Sequence, residues 1–401
     1  MKKAVKWIAA VFIIMVLALI GYVIYVFAAY DRLPDRMTLE VYKSDNTNGD
    51  NGARGMTSGS DADPAAATKN EEPDEGKLYS IMSYNIGFGA YLPEYSFFMD
   101  GGRSSWGKDA DSVTAAVCGA ADVISDADPD FALLQEVDRN GTRSYYIDEL
   151  ELLNQFMEAY YYTYAQNYDS PYLFFPPWEP HGANKAGLVT YSREEITEAV
   201  RRSLPISESF SKFVDLDRCY SVSRIPLAEL SGETTMGEQQ EAFAANDIAS
   251  SAEGRMLCLY NMHMSAYGSS DEIRAGQLAM LYEDMTADYR AGNYVICGGD
   301  FNHNLKTETA KNAPEWAYPF PRESLPDGFR MAIDDGWDAE DTVHNTCRSA
   351  NEPYDEETTY TVTLDGFIVS DNVIVRSYRH VDTGYAYSDH DPVLMEFALK
   401  W

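Results

Sequence analysis

The sequence predicts an α/β domain behind one transmembrane helix, and three observations carry that prediction. A long uncharged apolar run lies near the start, a polar low-complexity stretch follows it, and the remainder alternates strand-like with helix-like segments without an internal repeat.

The apolar run covers residues 7–30, between Lys6 and Asp31, and exceeds the ~20 residues that a helix needs to cross a bilayer. A cleaved signal peptide is the competing reading, but its apolar segment is only about 7 to 15 residues long. Residues 1–6, with Lys2, Lys3 and Lys6, form a short tail that the positive-inside bias keeps cytoplasmic, although Arg32 and Arg36 reduce the contrast. The expectation is therefore a cell membrane crossed once, with the rest of the chain outside the cytoplasm. Residues 31–77 read as a flexible stalk, because 44–76 is rich in Asn, Gly, Ser, Asp, Ala and Glu and has almost no large apolar side chain after Met56.

Residues 78–401 are expected to form one globular domain, since a hydrophobic content of 45% suffices for a substantial core. Strands are expected at 79–86, 131–134, 187–191, 256–261, 294–297, 363–369, 373–378 and 393–398. Val113, Ala116, Val117, Ala120 and Ile124 form one helical stripe, and Leu278, Leu281, Tyr282, Met285 and Tyr289 form another. Each stripe precedes a strand, so helices should pack on sheets. Residues 231–254 look like a polar surface insertion. Residues 306–355, rich in Pro, Trp, Tyr and acids, form an excursion of a length that is often functional.

The net charge is −33, nearly all of it on 78–401. Such a surface repels phosphate backbones, which excludes grip on nucleic acid through a basic patch. Nucleic acid enters only as a substrate whose repulsion metal ions offset, and no protein partner is indicated. Cys118, Cys219, Cys258, Cys297 and Cys347 show neither CxxC spacing nor an even count, and read as core residues.

Five segments end an apolar run in residues that bind metal or move protons, which is where sheet proteins build sites. They are Met82-Ser83-Tyr84-Asn85-Ile86-Gly87, Leu133-Leu134-Gln135-Glu136-Val137, Tyr260-Asn261-Met262-His263, Gly298-Gly299-Asp300-Phe301-Asn302 and Tyr387-Ser388-Asp389-His390-Asp391-Pro392-Val393. A sixth, Leu364-Asp365-Gly366-Phe367-Ile368-Val369, sets an acid inside an apolar strand, where a buried carboxylate needs a partner. Singly, a Gln-Glu pair is ordinarily a solvated edge and Asn-Ile-Gly an ordinary turn. The sharp signals are Gly-Gly-Asp-Phe-Asn and Ser-Asp-His-Asp-Pro-Val.

In this order, the six motifs resemble those of the endonuclease/exonuclease/phosphatase superfamily, which includes DNase I-like nucleases, neutral sphingomyelinases and inositol polyphosphate phosphatases. The resemblance covers essentially all of 78–401. It implies a four-layer sandwich of two packed mixed β-sheets flanked by helices, with the site at one end of the sheets. It also implies hydrolysis of a phosphate ester with Mg²⁺ or Mn²⁺. Glu136 matches the family's principal metal-binding glutamate, a hard oxygen ligand suited to such ions. Asn85 takes the place of the neutral amide beside that ion, and Asp389 that of a further metal-side carboxylate. Asp300 resembles the residue that positions or deprotonates the attacking water, with Asn302 holding the nucleophile or the phosphate. His263 and His390 are expected to donate to phosphoryl oxygens. Asp365 fits the acid that orients His390, so these two should touch; the family's carboxylate partner for His263 is unmatched.

The chain has no phosphate-loop cysteine and no Walker glycine run. Glycosidase chemistry could use Glu136 and Asp300 but leaves His263, His390 and Asp365 idle. The expected substrate is a phosphate ester, with a lipid or headgroup diester favoured by the anchor and by the aromatics between Tyr160 and Trp178, which equally suit a core. A surface nuclease and a silent binding protein of the same fold are the alternatives.

Overall fold

The computed structural model describes residues 2–29, 32–44, 77–207, 217–227, 254–265, 270–306, 314, 317–336 and 345–400. Residues 231–253 of the expected polar insertion at 231–254, and residues 45–76 of the expected stalk, lie outside them.

Helix α1 (Lys2–Ala29) is unbroken and, among the described residues, is the one helix long and apolar enough to cross a membrane. Its side chains are exposed apart from a few near the C-terminal end, including buried Val26. By length and composition it is a candidate membrane span or signal sequence.

The strands are β1 (Met37–Thr38), β2 (Tyr42–Lys43), β3 (Tyr79–Asn85), β4 (Phe131–Asp138), β5 (Tyr161–Asp169), β6 (Lys185–Ser192), β7 (Glu198–Ser203) and β8 (Cys219–Pro226). They continue with β9 (Met256–His263), β10 (Tyr294–Asp300), β11 (Phe329–Met331), β12 (Cys347–Arg348), β13 (Thr361–Val362), β14 (Asp365–Ser370), β15 (Val373–His380) and β16 (Val393–Leu399). Two seven-stranded mixed sheets result, β15-β16-β3-β4-β6-β5-β2 and β1-β7-β8-β9-β10-β14-β11. Each has one parallel pair at its centre, β3 with β4 and β9 with β10.

A parallel pair needs a crossover, and here it is a helix each time. Helix α2 (Ala110–Ala127) starts where the Asp109 carboxylate caps the Ser112 N–H, and stops where Asp128 turns left-handed. A short α3 (Glu149–Asn154) follows β4, and α4 (Asp271–Arg290) starts at Ser270, whose side chain accepts from Ile273 N–H. Both periodic stripes read from the sequence lie on these crossovers.

The layers follow from strand alternation. Ile81, Phe131 and Leu133 face the other sheet and share one core cluster with its Leu259, Ile296 and Phe367, whereas Met82, Ala132 and Leu134 face outward and cluster with Val113, Val117 and Ile124 of α2. Leu278, Leu281 and Met285 of α4 close the opposite face. The architecture is thus the four-layer DNase I-like sandwich.

Every expected strand is present, but β5, β7, β8, β11 and the two-residue β1, β2, β12 and β13 had no expectation. β7 shows why: Arg201 is buried there, donating to the carbonyls of Gln166 and Asp217 and to Ser203 Oγ at 2.6–3.1 Å, so its strand lacks apolar alternation. The stalk also differs from expectation. Residues 32–44 dock on the domain, where β1 pairs with β7 at an edge of one sheet and β2 with β5 at an edge of the other. Arg202 holds Asp35 and Leu39 is buried, so pairing and burial outweigh the polar composition. The five cysteines are free, and all but Cys118 are buried.

Candidate active site

Strand register assembles the site. In the β9-β10-β14 ladder Asp300 stands directly opposite His263 on one side and Asp365 on the other, so three chemical side chains share one row. Asn85 and Gln135 are paired in the same way at the ends of β3 and β4, which pack against β10 across the sheet interface.

Two backbone irregularities aim the side chains. The register of β4 slips between Leu134 and Val137, and Glu136 lies there with φ 56°, a left-handed conformation unusual for a glutamate. A bulge of this kind re-aims a side chain next to a site. Gly299 has φ 147°, and a Cβ there would lie 1.9 Å from Met262 O, so glycine alone lets β10 run this close to β9.

Asp300 is the hub. Its Oδ2 accepts from Asn85 Nδ2 at 3.1 Å and lies 3.5 Å from His263 Nε2 and 3.8 Å from His390 Nε2, while Oδ1 accepts from Asn302 N at 2.8 Å. His390 Nδ1 lies 2.8 Å from Asp365 Oδ2, the contact expected from the sequence. Asp365 is fully buried, and its Oδ1 finds no hydrogen-bond partner among the described residues. Glu136 Oε1 lies 3.9 Å from His263 Nε2. Asp389 lines the same cleft of about 1060 Å³.

Electrostatics divides the two histidines. Burial, aided by Arg218, His390 and Arg143, holds His263 well below its ordinary range, so it is a neutral imidazole. Burial also opposes charge on His390, but the carboxylates of Asp365, bonded to its Nδ1, and Asp300 outweigh it and raise its pKa well above 6.5. Burial pushes Asp300 up to about 7, with Asp365 and Glu136 adding to the rise and His390 opposing it. Asp389 is pushed up to about 6 by burial, with Glu136 adding while His390 and Arg348 oppose.

The amide of Asn85 lies between Glu136 and Asp300. Its oxygen accepts from Gly87 N at 3.0 Å, and its nitrogen donates to Glu136 Oε1 at 3.2 Å and to Asp300. In this orientation the amide nitrogen, which cannot itself ligate a cation, holds the two carboxylates together. Asn302 also turns its side-chain nitrogen inward, to Met264 O at 3.0 Å.

Residues 82–390 match the family described as endonuclease/exonuclease/phosphatase. The chain belongs to this family. No curated protein matches it in sequence. Among solved structures, the endonuclease/exonuclease/phosphatase from Beutenbergia cavernae DSM 12333 shares the fold, with TM-score 0.54 and 16% identity over 80% of this chain and 72% of that one. The corresponding protein from Bacteroides vulgatus gives TM-score 0.47 and 14% identity, over 80% and 99% of the two chains. Truncated TDP2 from Caenorhabditis elegans gives 0.42 and 16%, over 80% and 97%.

The family motifs account for the floor of the cleft but not its walls. Arg143, Arg218 and Arg348 also line it. Arg143 is fixed by Asp138 at 2.7 and 3.0 Å and stacks on Phe88, and Arg348 donates to the carbonyls of Tyr91 and Leu92 at 3.0 Å. These arginines concentrate positive charge inside an acidic protein. Beneath the site, Gln135 Nε2 donates to Asn261 Oδ1 at 2.9 Å, and Asn261 donates to Val189 O at 2.9 Å, locking the two sheets together. Cys347 borders His390, and burial pushes its thiol up to about 12, so it stays protonated.

The raised carboxylates set a pH dependence. Asp300 and Asp389 bind protons more tightly folded than unfolded. The stability they contribute is complete below their ordinary range and is lost as pH rises through about 6 for Asp389 and about 7 for Asp300. His390, raised as well, acts in the same direction. The melting temperature of chelator-treated protein should therefore fall between about pH 5 and about pH 8, and Mg²⁺ should restore it most at the upper end. Equal Mg²⁺ stabilisation at both ends, measured by scanning calorimetry, would contradict this account.

Proposed function

We propose that the chain is a divalent-cation-dependent phosphoesterase that hydrolyses a phosphate ester by in-line attack of water outside the cytoplasm. The observation that carries the reading is one cleft lined by His263, Asp300, His390 and the carboxylates of Glu136 and Asp389, with buried Asp365 bonded to His390 behind it.

The donor set fits a hard cation. Glu136 and Asp389 offer oxygens, and Asp389 sits above its ordinary range partly because Glu136 repels it, a repulsion that a cation relieves. Mg²⁺ or Mn²⁺ held there neutralises charge on the phosphoryl oxygens.

The protein supplies the proton chemistry and the orientation. Asp300 Oδ2 is positioned by Asn85 to hold the attacking water and take its proton. With Nδ1 engaged by Asp365, His390 presents a protonated Nε2 to a non-bridging oxygen. Water adds to phosphorus, the ester P–O bond breaks, and the departing alkoxide takes a proton from a histidine or from solvent. Arg143 and Arg218 draw phosphate into the cleft against the acidic surface.

Detergent-purified full chain should hydrolyse bis(p-nitrophenyl) phosphate with Mg²⁺ or Mn²⁺, lose the activity in chelator and regain it on adding metal. Absence of turnover with either ion, on this ester and on DNA, RNA, sphingomyelin and inositol phosphates, would overturn the proposal.

A further inference from the structure

Outside α1, eight large apolar side chains are exposed among the described residues, and four of them, Met99, Phe174, Phe175 and Trp178, belong to two adjoining segments. The Phe175 ring packs edge-on against Phe98 at 5.8 Å, and Trp178 Nε1 donates to Arg103 O at 3.0 Å, so 98–103 and 172–178 form one surface. Phe174, Phe175 and Trp178 are 60, 63 and 66% exposed. Three bare aromatics within five positions differ from the singly scattered apolar residues of an ordinary surface, and mark a docking face.

Three further observations point to its occupant. The end of α1 lies against this surface: Tyr22 OH donates to Tyr172 O at 3.3 Å and accepts from Phe174 N at 3.2 Å, and Tyr25 OH accepts from Tyr172 N at 3.0 Å. Tyr22 also meets the Phe174 ring at 5.2 Å. Tyrosines near the end of a spanning helix mark the boundary between hydrocarbon and water, which sets residues 172–178 at that depth. Second, the net charge of −33 disfavours attraction to anionic surfaces and leaves apolar insertion as the docking force. Third, Met99 and Asp100 of the same surface also line the active-site cleft.

We infer that segments 98–103 and 172–178 lie in the interfacial layer of the bilayer that α1 crosses, and that the cleft beside them takes phosphate esters of membrane lipids. The second half rests on the phosphoesterase reading; the first does not. The aromatics carry bilayer contact, and exposed Arg103 beside Trp178 meets headgroup phosphate.

The test uses the full chain in phosphatidylcholine vesicles whose lipids are brominated near the headgroup end of their acyl chains. The difference in fluorescence between wild type and Trp178→Phe isolates Trp178 from the other tryptophans, and that component should be quenched by the brominated lipid. An unquenched Trp178 component overturns the docking, as contact with a protein partner instead would predict. For the substrate, Phe174→Ser/Phe175→Ser should slow release of choline-containing product from phosphatidylcholine or sphingomyelin vesicles by about tenfold, through lost apolar burial. Hydrolysis of soluble bis(p-nitrophenyl) phosphate should stay within about twofold, because neither residue lines the cleft. Equal loss on both substrates, or loss on neither, overturns the lipid assignment. Inactivity of the wild type on every ester refutes the phosphoesterase reading, while the quenching still decides the docking.

Discussion

Replacing His390 by alanine should lower turnover by on the order of 10² to 10⁴, because one side chain both stabilises phosphoryl charge and moves a proton. Its ability to do either depends on Asp365, 2.8 Å away and fully buried. Asp365→Asn keeps the shape and a hydrogen-bond acceptor for Nδ1 but removes the charge that outweighs burial in holding His390 protonated. The variant should fold and bind cation, and its pKa for His390 should drop. The sign is definite: the protonated imidazole is lost as pH rises through its pKa, so the alkaline limb of the pH–rate profile should move to lower pH in Asp365→Asn. The double variant should be little worse than His390→Ala, since groups acting as a unit are not additive. Fully multiplicative effects, or an unmoved alkaline limb, would reduce Asp365 to a structural acid.

Glu136→Gln should weaken Mg²⁺ binding and turnover together, the latter by on the order of 10² or more if the cation supplies several kcal/mol of charge stabilisation. The substitution retains an oxygen that can accept from Asn85 Nδ2, now 3.2 Å from Oε1, so the bulge in β4 should survive. The side chain is 23% exposed, and the fold does not depend on burying it. Titration calorimetry reads the binding directly. Unchanged Mg²⁺ affinity would remove Glu136 from the cation site and leave Asp389 as the dominant carboxylate.

The acid inside the strand of Leu364 and Phe367 has no bland explanation in sequence, because a carboxylate amid apolar residues needs a partner. That reasoning asks for a partner, and the family resemblance named it as His390, 25 positions along the chain, where the contact is found. The orientation of Asn85 could not be found in this way. Its oxygen is claimed by Gly87 N in the turn that follows, and a side-chain amide faces whichever way its local partners require.

By itself the sequence determined the apolar helix, the two helix crossovers, the eight main strand positions and the six strand-end motifs, since each is written in a period or a short local pattern. Only the tertiary structure decided the row of His263, Asp300 and Asp365, because register between β9, β10 and β14 depends on the packing of whole sheets. It likewise decided that residues 32–44 join the sheet edges, and that Arg143, Arg218 and Arg348 converge on the cleft. An arginine carries no period of its own, and its reach is set by the carboxylates, carbonyls and rings that surround it after folding, as Asp138 and Phe88 fix Arg143. The bare aromatics at 172–178 lie in a run whose Tyr160 is buried at the other end. Composition is the same for an aromatic core and an aromatic surface, and only the neighbours that the fold brings, or leaves to a membrane, tell them apart.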